Sequence, residues 1–207
     1  MPLKFPPLHT LSLFVDSDPA WLTIIQACRE TLRSLTIHVQ DVPDRLFPLR
    51  LVLPKLQCLN IQNYAALSSI WPLDLVTPLL NTYIEEHLYE NYGKNLHTHT
   101  ASVRYLRVDR KTTPLLTPKL VLIQLEQESQ AINIILRLFM DDSKCRDLQV
   151  IELLQPCGAP YLEGMLMEIN ETQNRSIGLT VGSDRATHLP GTLSKAKVND
   201  DIHTYPI

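Results

Sequence analysis

Glycine, cysteine and long apolar runs are all scarce in this chain. Only 6 of its 207 residues are glycine, and no Gly-Lys-Ser ending of a phosphate-binding loop occurs. The 4 cysteines include no C-x-x-C pair, which favours reduced, buried thiols over a disulfide framework. No apolar run approaches the roughly 20 residues that cross a bilayer, and the N-terminus lacks the apolar core of a secretory signal. We therefore expect an intracellular protein, cytoplasmic or nuclear, with no membrane partner.

Basic charge is not in excess either. The formal net charge is −3, and 44% of the residues are hydrophobic against 20% charged. That apolar content is enough for a folded core. A protein that binds nucleic acid usually carries a basic patch, so we expect no nucleic-acid partner.

Motifs for catalysis are missing as well. The chain has no G-x-S-x-G serine motif and no cysteine with an obvious histidine partner. His97 and His99 lack a third ligand at fixed spacing, which favours a solvated loop over a metal site. We therefore expect no catalytic, cofactor-binding or metal-binding residue, and no enzyme.

One short apolar pattern recurs along the chain. An apolar anchor is followed by further apolar residues three and five positions later. Clear copies begin at six anchors: Leu8, Leu32, Leu56, Val103, Leu120 and Leu148. A degraded copy begins at Leu80, with Glu85 in its third position. The first four intervals are 24, 24, 24 and 23 residues, inside the roughly 20 to 29 residues of a leucine-rich repeat. Intervals of 17 and 28 residues follow and predict an irregular second half with one shortened repeat.

Strand alternation explains the pattern physically. Successive side chains of a strand point to opposite faces, so positions three and five after an anchor share one apolar face. Positions two, four and six share the other face, which is mixed. Proline recurs two residues before the anchor as Pro6, Pro54, Pro78 and Pro118, where a strand begins. We therefore predict one parallel strand per repeat.

The segments between the strands complete the predicted fold. Apolar positions at helical spacing predict helices over residues 19–28, 129–139 and 161–169. Residues 42–53 and 91–100 predict loops or single turns. The predicted fold class is α/β: a leucine-rich-repeat solenoid over residues 1–185, of about seven to eight repeats, with parallel strands on the concave face and helices or irregular turns on the convex face. Residues 186–207 lack the repeat and are expected to be a tail, disordered or lying over the last repeat as a cap.

Two of the repeats resemble a known family. Residues 5–13 and 53–61, FPPLHTLSL and LPKLQCLNI, are similar to repeats of fungal F-box and leucine-rich-repeat proteins. In that family an N-terminal F-box recruits an SCF-type ubiquitin ligase through an adaptor, and the repeats hold the substrate. The resemblance covers residues 5–155 and implies a substrate-recognition region that binds another protein. No F-box precedes the first repeat, so we expect adaptor binding only if one lies upstream, and expect a fragment or a chain capped by a partner. A free-standing repeat scaffold or gene fragment without a ubiquitin role stays open.

The mixed strand face is where we expect the partner. Its side chains form three columns, about 4.8 Å apart from strand to strand, which start at Thr10, Ser12 and Phe14. Aromatic and arginine residues are enriched at binding hot spots. The candidate protein-binding residues are therefore these: Glu86, Tyr105, Arg107, Asp109, Gln124 and Glu126. The alternative is that they are ordinary solvated strand residues with local charge pairing.

Overall fold

The computed structural model describes residues 6–16, 18–39, 49–64, 73–87, 102–109, 116–141, 143–155, 159–182 and 189–191. Several predictions fall outside these ranges, wholly or in part: those for the connector 91–100 with His97 and His99, for the thiol of Cys157, for residues 42–48 of the connector 42–53, and for residues 186–188 and 192–207 of the tail. Within the described residues the fold is mixed α/β, as the sequence predicts.

The elements that these residues form are, in chain order, β1 (Thr10–Val15), α1 (Ala20–Cys28), β2 (Ser34–Val39), β3 (Leu49–Val52), β4 (Cys58–Asn63), β5 (Leu73–Val76), β6 (Thr82–His87), β7 (Tyr105–Val108), β8 (Leu122–Leu125), α2 (Glu128–Met140), β9 (Val150–Leu153), α3 (Ala159–Thr172) and β10 (Gly178–Val181).

A parallel eight-stranded sheet joins the repeats. Its order is β1-β2-β4-β6-β7-β8-β9-β10, and each strand pairs with its neighbour in parallel. Thr10, Ser34 and Cys58 are adjacent in register, and Thr82 continues the row on β6. Each of them lies two positions after a predicted anchor. The seven predicted strands, β1, β2, β4, β6, β7, β8 and β9, and their parallel pairing are therefore confirmed.

One face of this sheet, here called the helix-side face, lies in the same apolar core as the helices. The anchors Leu32, Leu56 and Leu148 are buried, and they share one cluster with Leu35 and Ile123 of the strands. Each such leucine or isoleucine contributes about 2 kcal/mol by leaving water. The predicted interior ladder is therefore confirmed.

The three helices lie where apolar spacing predicts them. Before α1, Asp18 Oδ1 accepts a hydrogen bond from the Ala20 N–H at 3.0 Å. At the start of α2, the Gln130 side chain accepts one from the Gln127 N–H at 3.2 Å. Both contacts satisfy N–H groups near a helix start, which have no acceptor inside the helix. The stripe of α2 that packs into the core has helical spacing: Ala131, Ile134, Ile135 and Leu138.

A second sheet corrects one prediction. The loop or turn predicted for residues 42–53 is wrong for its last part, because Leu49–Val52 is strand β3. This strand pairs in parallel with β5, whose residues lie 24 positions later. Leu51 and Leu75 are buried in the main core, and pairing satisfies the backbone groups that this burial removes from water.

Strand β10 was also missing from the predicted pattern. It pairs with β9, with Gly178 next to Val150. Its anchor position is occupied by the polar Ser176, so the apolar signal that marks the other strands is absent.

The degraded repeat at β6 holds a buried polar pair. Tyr83 and Glu85 occupy helix-side positions and are 2% and 1% exposed. The Tyr83 hydroxyl donates to Glu85 Oε2 at 2.8 Å. Burial, and next the negative charge of Glu85, raise the pKa of Tyr83 well above its usual range. One hydrogen-bonded unit therefore replaces two apolar ladder residues and keeps the phenol neutral.

Three of the cysteines fit the prediction of reduced, buried thiols. Cys28, Cys58 and Cys145 are unbridged and buried. Burial raises the pKa of the Cys58 thiol, and burial also raises the pKa of Cys145 to about 11. Both thiols are therefore protonated near neutral pH, and their nucleophilic reactivity is low.

Candidate functional site

The face opposite the helix-side face, here called the outer face, carries the three predicted columns. The first column is in register from β1 to β9: Thr10, Ser34, Cys58, Thr82, Tyr105, Leu122 and Val150. The third is in register from Phe14 to Glu86. Strands β7 and β8 are shorter, so Asp109 and Glu126 follow their ends. The alternation of the strands thus places four of the six candidate residues on one side of the sheet: Glu86, Tyr105, Arg107 and Gln124.

Three aromatic rings stack at the carboxyl ends of the first strands. The Phe14 and His38 ring centroids are 4.8 Å apart with an interplanar angle of 28°, and those of His38 and Tyr64 are 6.1 Å apart at 12°. Phe14 is 58% exposed and Tyr64 41%. His38 is also hydrogen bonded, with Nε2 lying 3.1 Å from Ser12 Oγ. We call Phe14, His38 and Tyr64 the aromatic strip.

A polar network continues the strip toward β7. The Tyr64 hydroxyl donates to Gln62 Oε1 at 2.9 Å, and Gln62 Nε2 donates to Glu86 Oε2 at 3.1 Å. The other oxygen of Glu86 lies 3.2 Å from Arg107 Nη2. Both charged side chains are about one third exposed. The network therefore holds Glu86 between an amide and a guanidinium group, in a fixed position on the outer face.

Two buried polar atoms beside this network lack partners. Asn60 Oδ1 and Arg107 Nε make no hydrogen bond within the described part of the chain. Both residues belong to the middle column, Asn60 on β4 and Arg107 on β7. A buried polar atom without a partner is costly. Neither atom is open to solvent, so a ligand reaches this acceptor and this donor only by displacing the atoms that cover them.

Comparisons with protein families, with curated proteins and with solved structures gave no match. No helix in the described ranges has the length and apolar character to cross a membrane. Across the same ranges, no three or more histidine, cysteine, aspartate or glutamate side chains are grouped as metal ligands. The outer face therefore has to be interpreted from its own geometry.

The six candidate residues do not form one cluster. Glu86 and Arg107 pair, and Tyr105 is half-buried beside them in the first column. Gln124 and Asp109 are buried. Gln124 Nε2 donates to Glu152 Oε2 at 2.8 Å, the Asp109 carbonyl accepts from the Gln130 side chain, and Glu126 is half-exposed beyond β8. The Glu86–Arg107 pair matches the local charge pairing that the alternative describes.

The aromatic strip was not selected from the sequence. Phe14 and His38 are neighbours in the third column, so their adjacency was available from the repeat spacing. Tyr64 lies one residue beyond β4, outside the columns. Its N–H donates to the Val39 carbonyl at 2.9 Å, and this contact extends the sheet pairing far enough to place its ring against His38.

Residues 189–191 lie against the outer face. The Ser34 hydroxyl donates to the Gly191 carbonyl at 3.2 Å, and the Thr82 hydroxyl donates to the Pro190 carbonyl at 2.7 Å. Leu189 is 5% exposed. These residues belong to the predicted tail, and their contacts are with the sheet face instead of with the end of the last repeat.

A cavity of about 560 Å³ opens at the amino ends of β7 to β10. Arg104, Arg146 and Arg175 line it together with Asp147 and Ser176. The Arg175 guanidinium donates to the backbone carbonyls of Lys144 and Cys145, in the turn that precedes β9. Three guanidinium groups against one carboxylate favour an anion over a cation.

Proposed function

We propose that the chain is a leucine-rich-repeat solenoid that binds another protein through the aromatic strip and the adjoining polar network. The repeat assignment is supported by the constant register of 24 residues between β1, β2, β4 and β6. Each repeat adds one parallel strand and one connector, and stacking closes a continuous core. Such an array leaves one long strand face for a partner.

The observation that carries the proposal is the exposed stack of aromatic rings. Exposed aromatic side chains lose little conformational entropy on binding and offer a large apolar area. Here the stacking of Phe14 on His38 and the hydrogen bond from Tyr64 to Gln62 hold the rings in place before any partner arrives. A surface that is already ordered binds with a smaller entropic cost.

The polar atoms beside the strip favour a polypeptide as the partner. Asn60 Oδ1 needs a donor and Arg107 Nε needs an acceptor. A partner chain that displaces the atoms above them can supply an N–H and a carbonyl from two different peptide groups. The positive charge of Arg107 is already offset by Glu86. This arrangement gives a phosphate backbone little to bind.

Within this proposal, the first role to test is substrate recognition for a ubiquitin ligase. It rests on the similarity of residues 5–13 and 53–61 to F-box and leucine-rich-repeat proteins, which makes the repeats a substrate receptor. An in-frame F-box encoded upstream of Met1 would support it. A scaffold without a ubiquitin role is the alternative, and the absence of such a sequence would favour it.

The test is quantitative capture of partners by the full chain from cells that express it. We expect the double variant Phe14→Ser and Tyr64→Ser to lose partners that the unchanged chain retains. Arg107→Ala should weaken the same partners at least about fivefold, as truncation of an interface arginine does. Chemical cross-linking should place those partners next to the outer face.

The matched control is Tyr161→Ser on α3. Tyr161 is exposed like Tyr64, but it lies on a helix, so its loss should leave the same partners bound. If the double variant and Arg107→Ala both retain every partner while remaining folded, the outer-face proposal is wrong.

A further inference from the structure

The chain's own residues 189–191 occupy the first column of the outer face much as a bound peptide would. They cross the strands instead of pairing with them: Pro190 contacts Thr82 on β6, and Gly191 contacts Ser34 on β2. Both hydrogen bonds run from a strand hydroxyl to a main-chain carbonyl of the segment. Any peptide has such carbonyls, so these two contacts bind the main chain of the segment and do not select a particular side chain.

Gly191 is required by its surroundings. Its φ is +83°, and a Cβ at this position would lie 2.9 Å from Cys58 Cβ. Residues with a side chain rarely adopt that backbone conformation, and the contact itself is too close. Cys58 belongs to β4, so the neighbouring atom is held by the sheet. The site therefore selects glycine at this point of the peptide.

Leu189 fills an apolar site further along the same column. It forms a small buried cluster with Ile84 and Leu122, and Tyr105 and Val150 pack against that cluster. This cluster is separate from the main core between the sheet and the helices. A leucine two residues before the glycine thus fits a site built from four strands of the outer face.

We propose that this row of outer-face residues is a binding site for a peptide of a partner protein that carries leucine two positions before a glycine and turns at that glycine, and that residues 189–191 occupy it as a competing internal ligand. The proposal rests on the proposed function, because it names the kind of segment a protein partner would present. Ser34 and Thr82 bind the peptide carbonyls, Cys58 excludes side chains at the glycine, and Ile84 and Leu122 bind the leucine.

The segment is suited to exchange. Leu189 belongs to the small outer cluster, so its departure leaves the main core intact. Because the segment is tethered, it competes at a high effective concentration, and an outside peptide binds only to the fraction of molecules in which the site is vacant. Releasing the segment should therefore raise the apparent affinity for an outside peptide.

The experiment uses the full chain and a fluorescein-labelled peptide of residues 186–194, ATHLPGTLS. Leu189→Asp places a charge in the apolar cluster, and Gly191→Val creates the clash with Cys58, so each change releases the internal segment. Fluorescence anisotropy should show the peptide binding at least about tenfold more tightly to either variant than to the unchanged chain. A peptide with aspartate in place of the leucine should not bind.

Alkylation of Cys58, located by mass spectrometry, reports the same event directly. The thiol is buried under Gly191 in the intact chain. It should react faster in Leu189→Asp, and added peptide should slow the reaction again. Leu79→Asp is the matched control, since Leu79 is 55% exposed and its change should leave both peptide affinity and Cys58 reactivity as they are.

Each outcome decides the proposal. If the folded variants bind the peptide no better than the unchanged chain, or if both variants fail to fold, residues 189–191 are a structural part of the fold and the proposal is overturned. Phe14→Ser with Tyr64→Ser should leave peptide binding to Leu189→Asp unchanged. If the released variants fail to bind the peptide, only this inference is wrong. If the variant with both strip substitutions retains every partner, only the proposed function is wrong.

Discussion

The first and second halves of the large sheet differ in how the chain returns from one strand to the next. Neighbouring strands from β1 to β6 are offset by 24 residues, whereas β8, β9 and β10 are offset by 28. Helix α1 of the first half has 9 residues, and α2 and α3 have 13 and 14. The four added residues therefore correspond to about one more helical turn. Connector length varies on the far side of the core while the strands keep their pairing.

The outer face differs between the same halves. Phe14, Ser12 and Thr10 on β1 are exposed, whereas Gln124 on β8 and Glu152 on β9 are buried. The outer-face side chains of β1 are therefore open to a partner, whereas Gln124 and Glu152 already bind each other inside the molecule. The candidate site lies in the more regular half and at its border with the less regular one.

The largest expected effect tests whether the halves are energetically separate. Leu35→Ala on β2 and Ile123→Ala on β8 each remove a fully buried side chain, and each should cost about 3 kcal/mol of unfolding free energy. Because β2 pairs with β1 and β4 and not with β8 or β9, Leu35→Ala should reduce hydrogen-exchange protection in β1 to β4 more than in β8 and β9. Ile123→Ala should do the reverse. An equal loss across all strands in both variants would show one cooperative unit and remove the distinction.

A smaller effect is expected at β6, where the halves meet. Tyr83→Phe removes the donor to Glu85 and leaves a buried carboxylate with one fewer hydrogen bond, so it should cost about 1 to 2 kcal/mol at pH 7. Urea denaturation followed by circular dichroism measures the difference. Exposed Tyr161→Phe is the control and should change stability by less than about 0.5 kcal/mol.

The same pair predicts a dependence on pH. The pKa of Tyr83 is raised in the folded state, so the phenol releases its proton more readily when the chain is unfolded. Its contribution to stability is therefore complete below pH 10 and is lost as the pH rises above the unfolded value of about 10. The stability difference between the unchanged chain and Tyr83→Phe should shrink from pH 9 to pH 11. A constant difference over that range would contradict the burial of a neutral Tyr83.

The sequence was sufficient for the strands whose anchors are apolar. Leu32, Leu56 and Leu148 predicted β2, β4 and β9, because each of these buried leucines lies two residues before the first residue of its strand. Strands β3 and β5 were missed although Leu51 and Leu75 repeat at the same 24-residue interval and precede Pro54 and Pro78. These two strands therefore follow a second pattern, an apolar residue three positions before a proline, which the anchor pattern does not include.

The candidate site was harder to predict from the sequence than the fold was. Alternation predicts which side chains share a face, and it placed Glu86 and Arg107 correctly on the outer face. It does not predict which of them are covered, since that depends on contacts between distant segments. The hydrogen bonds from Ser34 and Thr82 join residues that are 157 and 108 positions from their partners in residues 189–191. No local pattern contains that information.

The smallest expected effect concerns the short helix of the regular half. Asp18→Ala removes the acceptor for the Ala20 N–H at the start of α1 and should cost about 0.5 to 1 kcal/mol. Hydrogen exchange should rise in α1 and not in α2, which keeps the contact between Gln127 and Gln130. Thr23→Ala is the control in the exposed middle of α1 and should be neutral or slightly stabilising. If Asp18→Ala leaves hydrogen exchange in α1 unchanged, the contact between Asp18 and Ala20 is not needed to hold this helix. Packing of Trp21 and Ile25 on the core would then be sufficient to stabilise the connector between β1 and β2.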